Sequence, residues 1–354
     1  MILFSKEVKT VTLNDRKVGD GYPCYTIAEI GGLFTNFEEA KRLIDSSIEI
    51  KVDAVKFQTL EAETITTKNN FFDMKSTGHV SQYEMFKQFE LSKELQIKIV
   101  NYANERGMTI FSAPSHMKDL EIMKEMDLPI FKIGSDLACH IPLLKEIASF
   151  GKPIILSTGM CTLDEVRNSV NAILDSGNDQ LSLLHCVSDY PTKPEETNLN
   201  AIVTLKNEFN LPVGLSDHNI DPIIAISAVS LGANIIEKHF KDLQNSPSPD
   251  DIVALDKLEF KKMIESIRLI EKSLGNGIKK PSKSEIKNLD TNRVSVVSLK
   301  EIQIDQIITR DMIDIRRPGT GIPPSNFNKI IGKRAKIKIE KETPLSFDMI
   351  ELVE

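Results

Sequence analysis

The stretch Gly151-Lys152-Pro153-Ile154-Ile155-Leu156-Ser157-Thr158-Gly159-Met160 is a short β-branched run that leads into a longer helical pattern over Leu163–Ser176. Working outward in both directions, the same alternation recurs. Strands are expected at Tyr25–Ile30, Ala54–Gln58, Thr109–Ala113, Ile130–Gly134, Pro153–Ser157, Leu181–Cys186, Val213–Asp217 and Asn234–Phe240. Helical patterns follow them at Glu38–Ile50, Lys93–Arg106, Met117–Met126, Ile141–Phe150, Leu163–Ser176, Leu199–Phe209, Pro222–Leu231 and Asp256–Leu274. Eight strand-then-helix units fit an α/β fold of the (β/α)8 TIM-barrel type better than an open doubly wound sheet.

Around this repeat lie three further pieces. Residues before Tyr25 read as a hairpin that closes the barrel floor, and Glu61–Glu90 is long for a strand-to-helix connection, which marks an active-site loop. After Leu274 the texture changes, with Gly275, Gly277, Lys279, Lys280, Pro281 and Ser282 reading as a linker. Beyond it, strand-like Val294–Ser298 and Ala335–Ile339 and the turn-rich run from Arg317 to Pro324 indicate a small β-rich domain. The expected division is therefore a barrel over 1–278, a linker over 279–292 and a second domain over 293–354.

A chain of 354 residues with 41% apolar content can bury a barrel-sized core and carry a small appendage. Its net charge of −7 argues against nucleic-acid and anionic-membrane partners, which reward a basic surface. No apolar run reaches membrane-spanning length, and the N-terminus lacks the basic and apolar regions of an export signal. Cys24, Cys139, Cys161 and Cys186 are scattered rather than framed as pairs, which suits reduced thiols. A soluble cytoplasmic protein is expected.

In a (β/α)8 barrel the chemistry sits at the C-terminal strand ends. Polar groups end nearly every expected strand: Glu29, Lys56 with Gln58, Ser112, Lys132 with Ser135, Ser157, His185 with Tyr190, Ser216 with His218, and Glu237 with His239. Because side chains alternate along a strand, Lys56 and Gln58 share a face, as do Glu237 and His239. Two lysines and several hydroxyls suit a phosphate and a carboxylate. Two histidines on successive strands suit a divalent metal, with Glu237 able to orient a ligand or a metal-bound water, although the spacing from His218 to His239 fits two core histidines equally well.

These residues fall within runs that together resemble the motifs of the N-acetylneuraminate (sialic acid) synthase family. The runs are Ile27-Ala28-Glu29-Ile30-Gly31, Val55-Lys56-Phe57-Gln58-Thr59, Lys132-Ile133-Gly134-Ser135, the stretch at Gly151–Met160, Gly214-Leu215-Ser216-Asp217-His218 and Ile236-Glu237-Lys238-His239-Phe240. The tail Arg317-Pro318-Gly319-Thr320-Gly321-Ile322 is similar to that family's C-terminal antifreeze-like (SAF, β-clip) domain. The resemblance implies a transferase that condenses phosphoenolpyruvate with an N-acetylated hexosamine, either N-acetylmannosamine or a 2,4-diacetamido-6-deoxy hexose. It implies that Lys56, Lys132, Ser135, Ser157 and Ser216 hold phosphoenolpyruvate, and that His218 and His239 bind manganese or magnesium. Gln58, Tyr190 and Asp250 then contact the sugar, Glu29 stands near the reacting carbons, and Arg317 reaches the partner's barrel in a domain-swapped homodimer.

The chain departs from that pattern after Gly31, where Gly32-Leu33-Phe34-Thr35-Asn36 makes the loop one residue short, and at Ala113, Asp136 with Leu137, and Ser188. Two other readings stand beside the first. One is a phosphoenolpyruvate-dependent synthase of seven- or eight-carbon sugar acids; the other is a sugar-binding or scaffold protein that has lost catalysis.

Overall fold

The computed structural model describes residues 8–74, 77–245 and 247–351. The chain divides into two compact units, one ending at Asn276 and the other beginning at Gly277.

The first unit opens with an antiparallel hairpin, β1 (Val11–Leu13) and β2 (Arg16–Val18). Then come β3 (Tyr25–Glu29), β4 (Ala54–Thr59), an outlying hairpin of β5 (Phe71–Met74) and β6 (Gly78–Ser81), β7 (Ile110–Pro114), β8 (Phe131–Ile133), β9 (Ile154–Ser157), β10 (Leu181–Cys186), β11 (Val213–Asp217) and β12 (Ile235–His239). Leaving out β5 and β6, the eight strands from β3 to β12 pair in parallel and close into a barrel, β12 lying beside β3. Each expected barrel strand is present to within one residue at either end.

Helices cover the outside. The one at Leu163–Asp175 starts where it does because Thr162 accepts from the Glu165 N–H while the Glu165 carboxylate accepts from Thr162 N–H, a reciprocal cap of about 1 kcal/mol. Val166, Val170 and Ile173 on its inner face are buried against the sheet.

Inside the barrel the chemistry changes along the strands. The lower layer is apolar: Tyr25, Ile27, Ala54, Phe111, Ile130, Ile155, Leu184 and Ile235 pack with Val11, Leu13 and Val18 of the hairpin. The hairpin therefore plugs the floor with three side chains that are wholly buried. One step of the two-residue period higher, the same columns turn polar, as Ala54 gives way to Lys56, Ile130 to Lys132, Ile155 to Ser157 and Ile235 to Glu237. Gly214 belongs to the crowded interior, where a Cβ would run into the Ile235 carbonyl oxygen.

The long connection after β4 is not a bare loop. It folds as a helix at Ala62–Ile65, the β5–β6 hairpin and a helix at Gln82–Phe89, with Phe72 and Phe86 in edge contact at 5.7 Å.

The second unit carries short helices at Lys283–Ile286 and Leu289–Asn292, within the stretch read as a linker. Its sheet pairs β13 (Ser295–Ser298) with β14 (Ile313–Arg316), around an aliphatic core that includes Val296, Ile302, Ile313, Ile339 and Leu345. The strand expected at Ala335–Ile339 is not continuous; only single bridges form there, from Ala335 to Ile350 and from Ile339 to Ile302. Among the described residues no helix is long and apolar enough to cross a membrane.

Candidate active site at the barrel mouth

The polar layer opens into a cavity of about 340 Å³, within the range of small-molecule sites. Lys56, Gln58, Lys132, Ser135, Ser157, Tyr190, Ser216, His218, Glu237, His239 and Asp250, all singled out from the sequence, line it together. Two others stand elsewhere. Glu29 is buried behind Lys56, as its ion-pair partner, rather than on the cavity surface. Arg317 belongs to the second unit and is exposed in its turn.

Two strand ends were read one residue out of phase. Ser112 faces outward, hydrogen-bonded to Thr59 Oγ1 at 2.7 Å, and Ala113 takes the inward place. His185 likewise faces outward, with Nε2 against the Thr197 carbonyl at 2.6 Å, so Cys186 lines the cavity. The alternation already visible at Leu184 and Cys186 carried that information.

Charge is concentrated at the floor of the cavity. Glu237 Oε1 lies 3.4 Å from Lys56 Nζ and 3.5 Å from Lys132 Nζ, and accepts from Ser216 Oγ at 3.0 Å. Lys132 Nζ also donates to Ser157 Oγ at 2.7 Å. Burial pulls the Lys56 ammonium down to about 8, although Glu237 opposes that shift. Burial pushes the Glu237 carboxyl up, but Lys132 and Lys56 outweigh it and bring it down to about 2. The result is a tight charge cluster in which Lys56 is held from behind: Glu29 pairs with Lys56 and takes the Gly31 N–H at 2.5 Å. Gly31 has to be glycine, because a Cβ would meet the Glu29 carboxylate and, at 2.7 Å, Gln58 Cγ.

One step of the strand period beyond Glu237, the His218 and His239 rings lie 5.6 Å apart, with Tyr190 tilted over His218 at 4.0 Å. His218 Nδ1 sits 2.8 Å from the Val187 carbonyl, which can only accept, so Nδ1 carries the proton and Nε2 the lone pair. His239 Nδ1 is buried with no hydrogen-bond partner, Asp250 Oδ2 standing 3.7 Å away. Burial, and then the neighbouring His218, hold His239 well below the usual imidazole range. Burial works against the His218 charge, but Cys186 and the Val187 carbonyl outweigh it and raise that imidazole above its usual range. The His218 Nε2 and the unpartnered His239 Nδ1 are nitrogen donors of the kind a divalent cation takes in place of protons. Among the described residues no group of three or more His, Cys, Asp or Glu could hold a metal by itself. The pair therefore suits an open site completed by substrate and water rather than a closed structural one.

Above this polar floor the insertion after β4 supplies Ile65, Phe72, Met85 and Phe86, and Met160 adds to the same apolar wall. The sequence marked the insertion as a site loop without showing that its aromatic residues would face inward.

A phosphate-suited cluster facing two histidines in one barrel mouth invites comparison with known proteins. The NeuB family profile matches residues 43–279, and the SAF domain profile matches 293–351. The chain belongs to the NeuB family. It is 35% identical to the N,N'-diacetyllegionaminic acid synthase of Legionella pneumophila over 94% of this chain and 96% of that one. It is 32% identical to a pseudaminic acid synthase of Campylobacter jejuni, over 89% and 93% respectively. Among solved structures, the N-acetylneuraminic acid synthetase of Leptospira borgpetersenii, crystallised with citrate, superposes with a TM-score of 0.71 at 31% identity, covering 80% of this chain and 96% of that one. These relatives are named as synthases of legionaminic, pseudaminic and neuraminic acids, and in this chain the NeuB match precedes the SAF match.

Proposed function

We propose that this chain condenses phosphoenolpyruvate with the open-chain form of an acyl amino sugar, and with water, to give a nonulosonic acid and phosphate. The observation that carries the reading is the floor cluster. Two buried lysines converge on Glu237, with Ser157 and Ser216 donating or accepting beside them and Ser135 at the rim.

In this reading Lys56, Lys132, Ser135, Ser157 and Ser216 receive the phosphate and carboxylate of phosphoenolpyruvate by charge-assisted hydrogen bonds. C3 of phosphoenolpyruvate attacks the sugar's aldehyde carbon, leaving positive charge at C2 that the Glu237 carboxylate, aimed into the cavity, stabilises. Glu29 acts through Lys56, holding the ammonium in place rather than touching the reacting carbons. Water adds to C2, and phosphate leaves by C–O cleavage toward the lysines.

His218 and His239 would hold manganese or magnesium. When bound, the cation supplies Lewis acidity for the sugar's carbonyl oxygen. Val187 fixes which His218 nitrogen faces the cavity, and Tyr190 packs on that ring. Gln58, Tyr190 and Asp250 face the sugar. Arg317 completes the site from a partner subunit, in a cytoplasmic domain-swapped dimer.

The wall of Ile65, Phe72, Met85 and Phe86, with Thr77 as the one hydroxyl of the insertion among the described lining residues, is mostly apolar and suits methyl groups, which favours a 2,4-diacetamido-6-deoxy hexose over N-acetylmannosamine. The test is phosphoenolpyruvate-dependent phosphate release with both sugars. Turnover with the diacetamido sugar at the higher kcat/KM supports the reading; release with neither, but with a phosphorylated four- or five-carbon aldose, moves the chain to another class of sugar-acid synthase.

A further inference from the structure

Two thiols that the proposed reaction does not use stand together beside the cavity. Cys139 follows the turn at Ser135–Leu137 and is exposed, and Cys161 follows Met160 and is half-buried. Their sulfurs lie 3.8 Å apart. The framework around them is tight. The Gly159 N–H donates to Ser135 Oγ at 3.0 Å, and Ser169 Oγ donates to the Ala138 carbonyl at 2.7 Å, tying the residue before Cys139 to the helix that follows Cys161. A Cβ on Gly159 would come within 2.7 Å of Ser135 Oγ and 2.5 Å of Ser188 Oγ, so the two loops leave no slack between them. The thiols therefore meet because the barrel brings their loops together, and bond formation would close their separation from 3.8 Å to about 2.0 Å. Cys24 and Cys186, by contrast, are buried.

We infer that Cys139 and Cys161 form a redox-active dithiol, a modification site that an oxidant of the disulfide class, such as oxidised glutathione, converts to an intramolecular disulfide. Cys139 is exposed whereas Cys161 is half-buried, its thiol pushed up by burial, so an oxidant in solution meets Cys139 first and Cys139 is the attacking group. The Cys139 thiolate attacks one sulfur of the oxidant, expelling a thiolate that takes up a proton and leaving a mixed disulfide on Cys139. Cys161 gives its proton to solvent and displaces the second thiol. Two electrons and two protons pass from the protein to the oxidant, which leaves as two thiols. The new bond ties the loop bearing Ser135 to the loop bearing Ser157 and Met160, all three of which line the cavity.

The assignment does not depend on the reaction the barrel performs, and its test reads the bond directly. The full chain is incubated with oxidised glutathione, alkylated and mapped by mass spectrometry without reduction. A peptide pair joining Cys139 to Cys161, two hydrogens lighter and separated by dithiothreitol, is the expected product. Cys161→Ser should trap glutathione on Cys139, and Cys139→Ser should leave Cys161 unmodified. A mixed disulfide that persists on Cys139 in the wild-type protein, or a cross-link through Cys24 or Cys186, overturns the assignment.

Discussion

Lys132 Nζ and Glu237 Oε1 face each other inside the barrel at 3.5 Å, both side chains almost wholly removed from solvent. In a site this sheltered, each cation contributes more than it would at the surface. Lys132→Met removes the charge while keeping an unbranched side chain of similar length. It should lower kcat/KM for phosphoenolpyruvate about 100-fold, on the order of 3 kcal/mol, with the far-ultraviolet circular dichroism unchanged. A rate within two- or three-fold of wild type places the phosphate elsewhere.

Removal of divalent cations should abolish turnover, because the His218 and His239 rings stand 5.6 Å apart in the cavity as a pair of nitrogen donors. Protein treated with EDTA and desalted is expected to regain activity when manganese is restored. His239→Ala should weaken manganese binding, followed by the ion's paramagnetic resonance signal, independently of any assay of turnover. Full activity in metal-free protein contradicts the assignment.

Asp217 and Lys238 project from the outer faces of β11 and β12, the strands that deliver Glu237 and both site histidines. They pair at 2.8 Å with both side chains fully buried. Asn219 takes part as well, its N–H donating to Asp217 at 3.0 Å. Breaking a pair of this kind leaves an uncompensated buried charge. Asp217→Asn should cost about 3 kcal/mol in denaturant unfolding, whereas Asp164→Asn, which loses a solvent-exposed pair with Arg167, should stay within about 0.5 kcal/mol. Equal midpoints for the two variants would show that the inner pair adds nothing to stability.

Arg317 can be tested by complementation. Lys132→Met and Arg317→Ala proteins, each expected to have lost most of its activity, are mixed under conditions of subunit exchange. A mixed dimer holds one barrel with both lysines that receives an intact arginine from its neighbour, so part of the activity should return. Mixed dimers that form without any recovery confine the arginine to its own chain.

Much of the barrel was legible because strands such as Ile154–Ser157 and Val213–Asp217 are short runs buried on both faces, which leaves little freedom in where they start and stop. The polar mouth was legible for a related reason: a lysine or glutamate two residues beyond a core aliphatic on the same strand must look into the barrel. Where that period was ignored in favour of the nearest polar residue, at Ser112 and His185, the reading pointed outward. Backbone partners such as the Val187 carbonyl beneath His218 leave no trace in side-chain identity. The β5–β6 hairpin was equally hidden, because its residues are mostly exposed and carry no buried alternation.

The hairpin of Val11, Leu13 and Val18 seals the barrel from below, and the insertion after β4 narrows it from above. Among the described residues the cavity is closed by the hairpin below and lined by the insertion above, so position along it becomes a sequence in time. In the proposed reaction, what binds against Lys132 and Ser157 would arrive before the sugar settles against Phe72 and Phe86. Phosphate released at the bottom would then wait for the nine-carbon product to clear the threshold. Kinetics in which neither substrate nor product can overtake the other would be the signature of that closed floor.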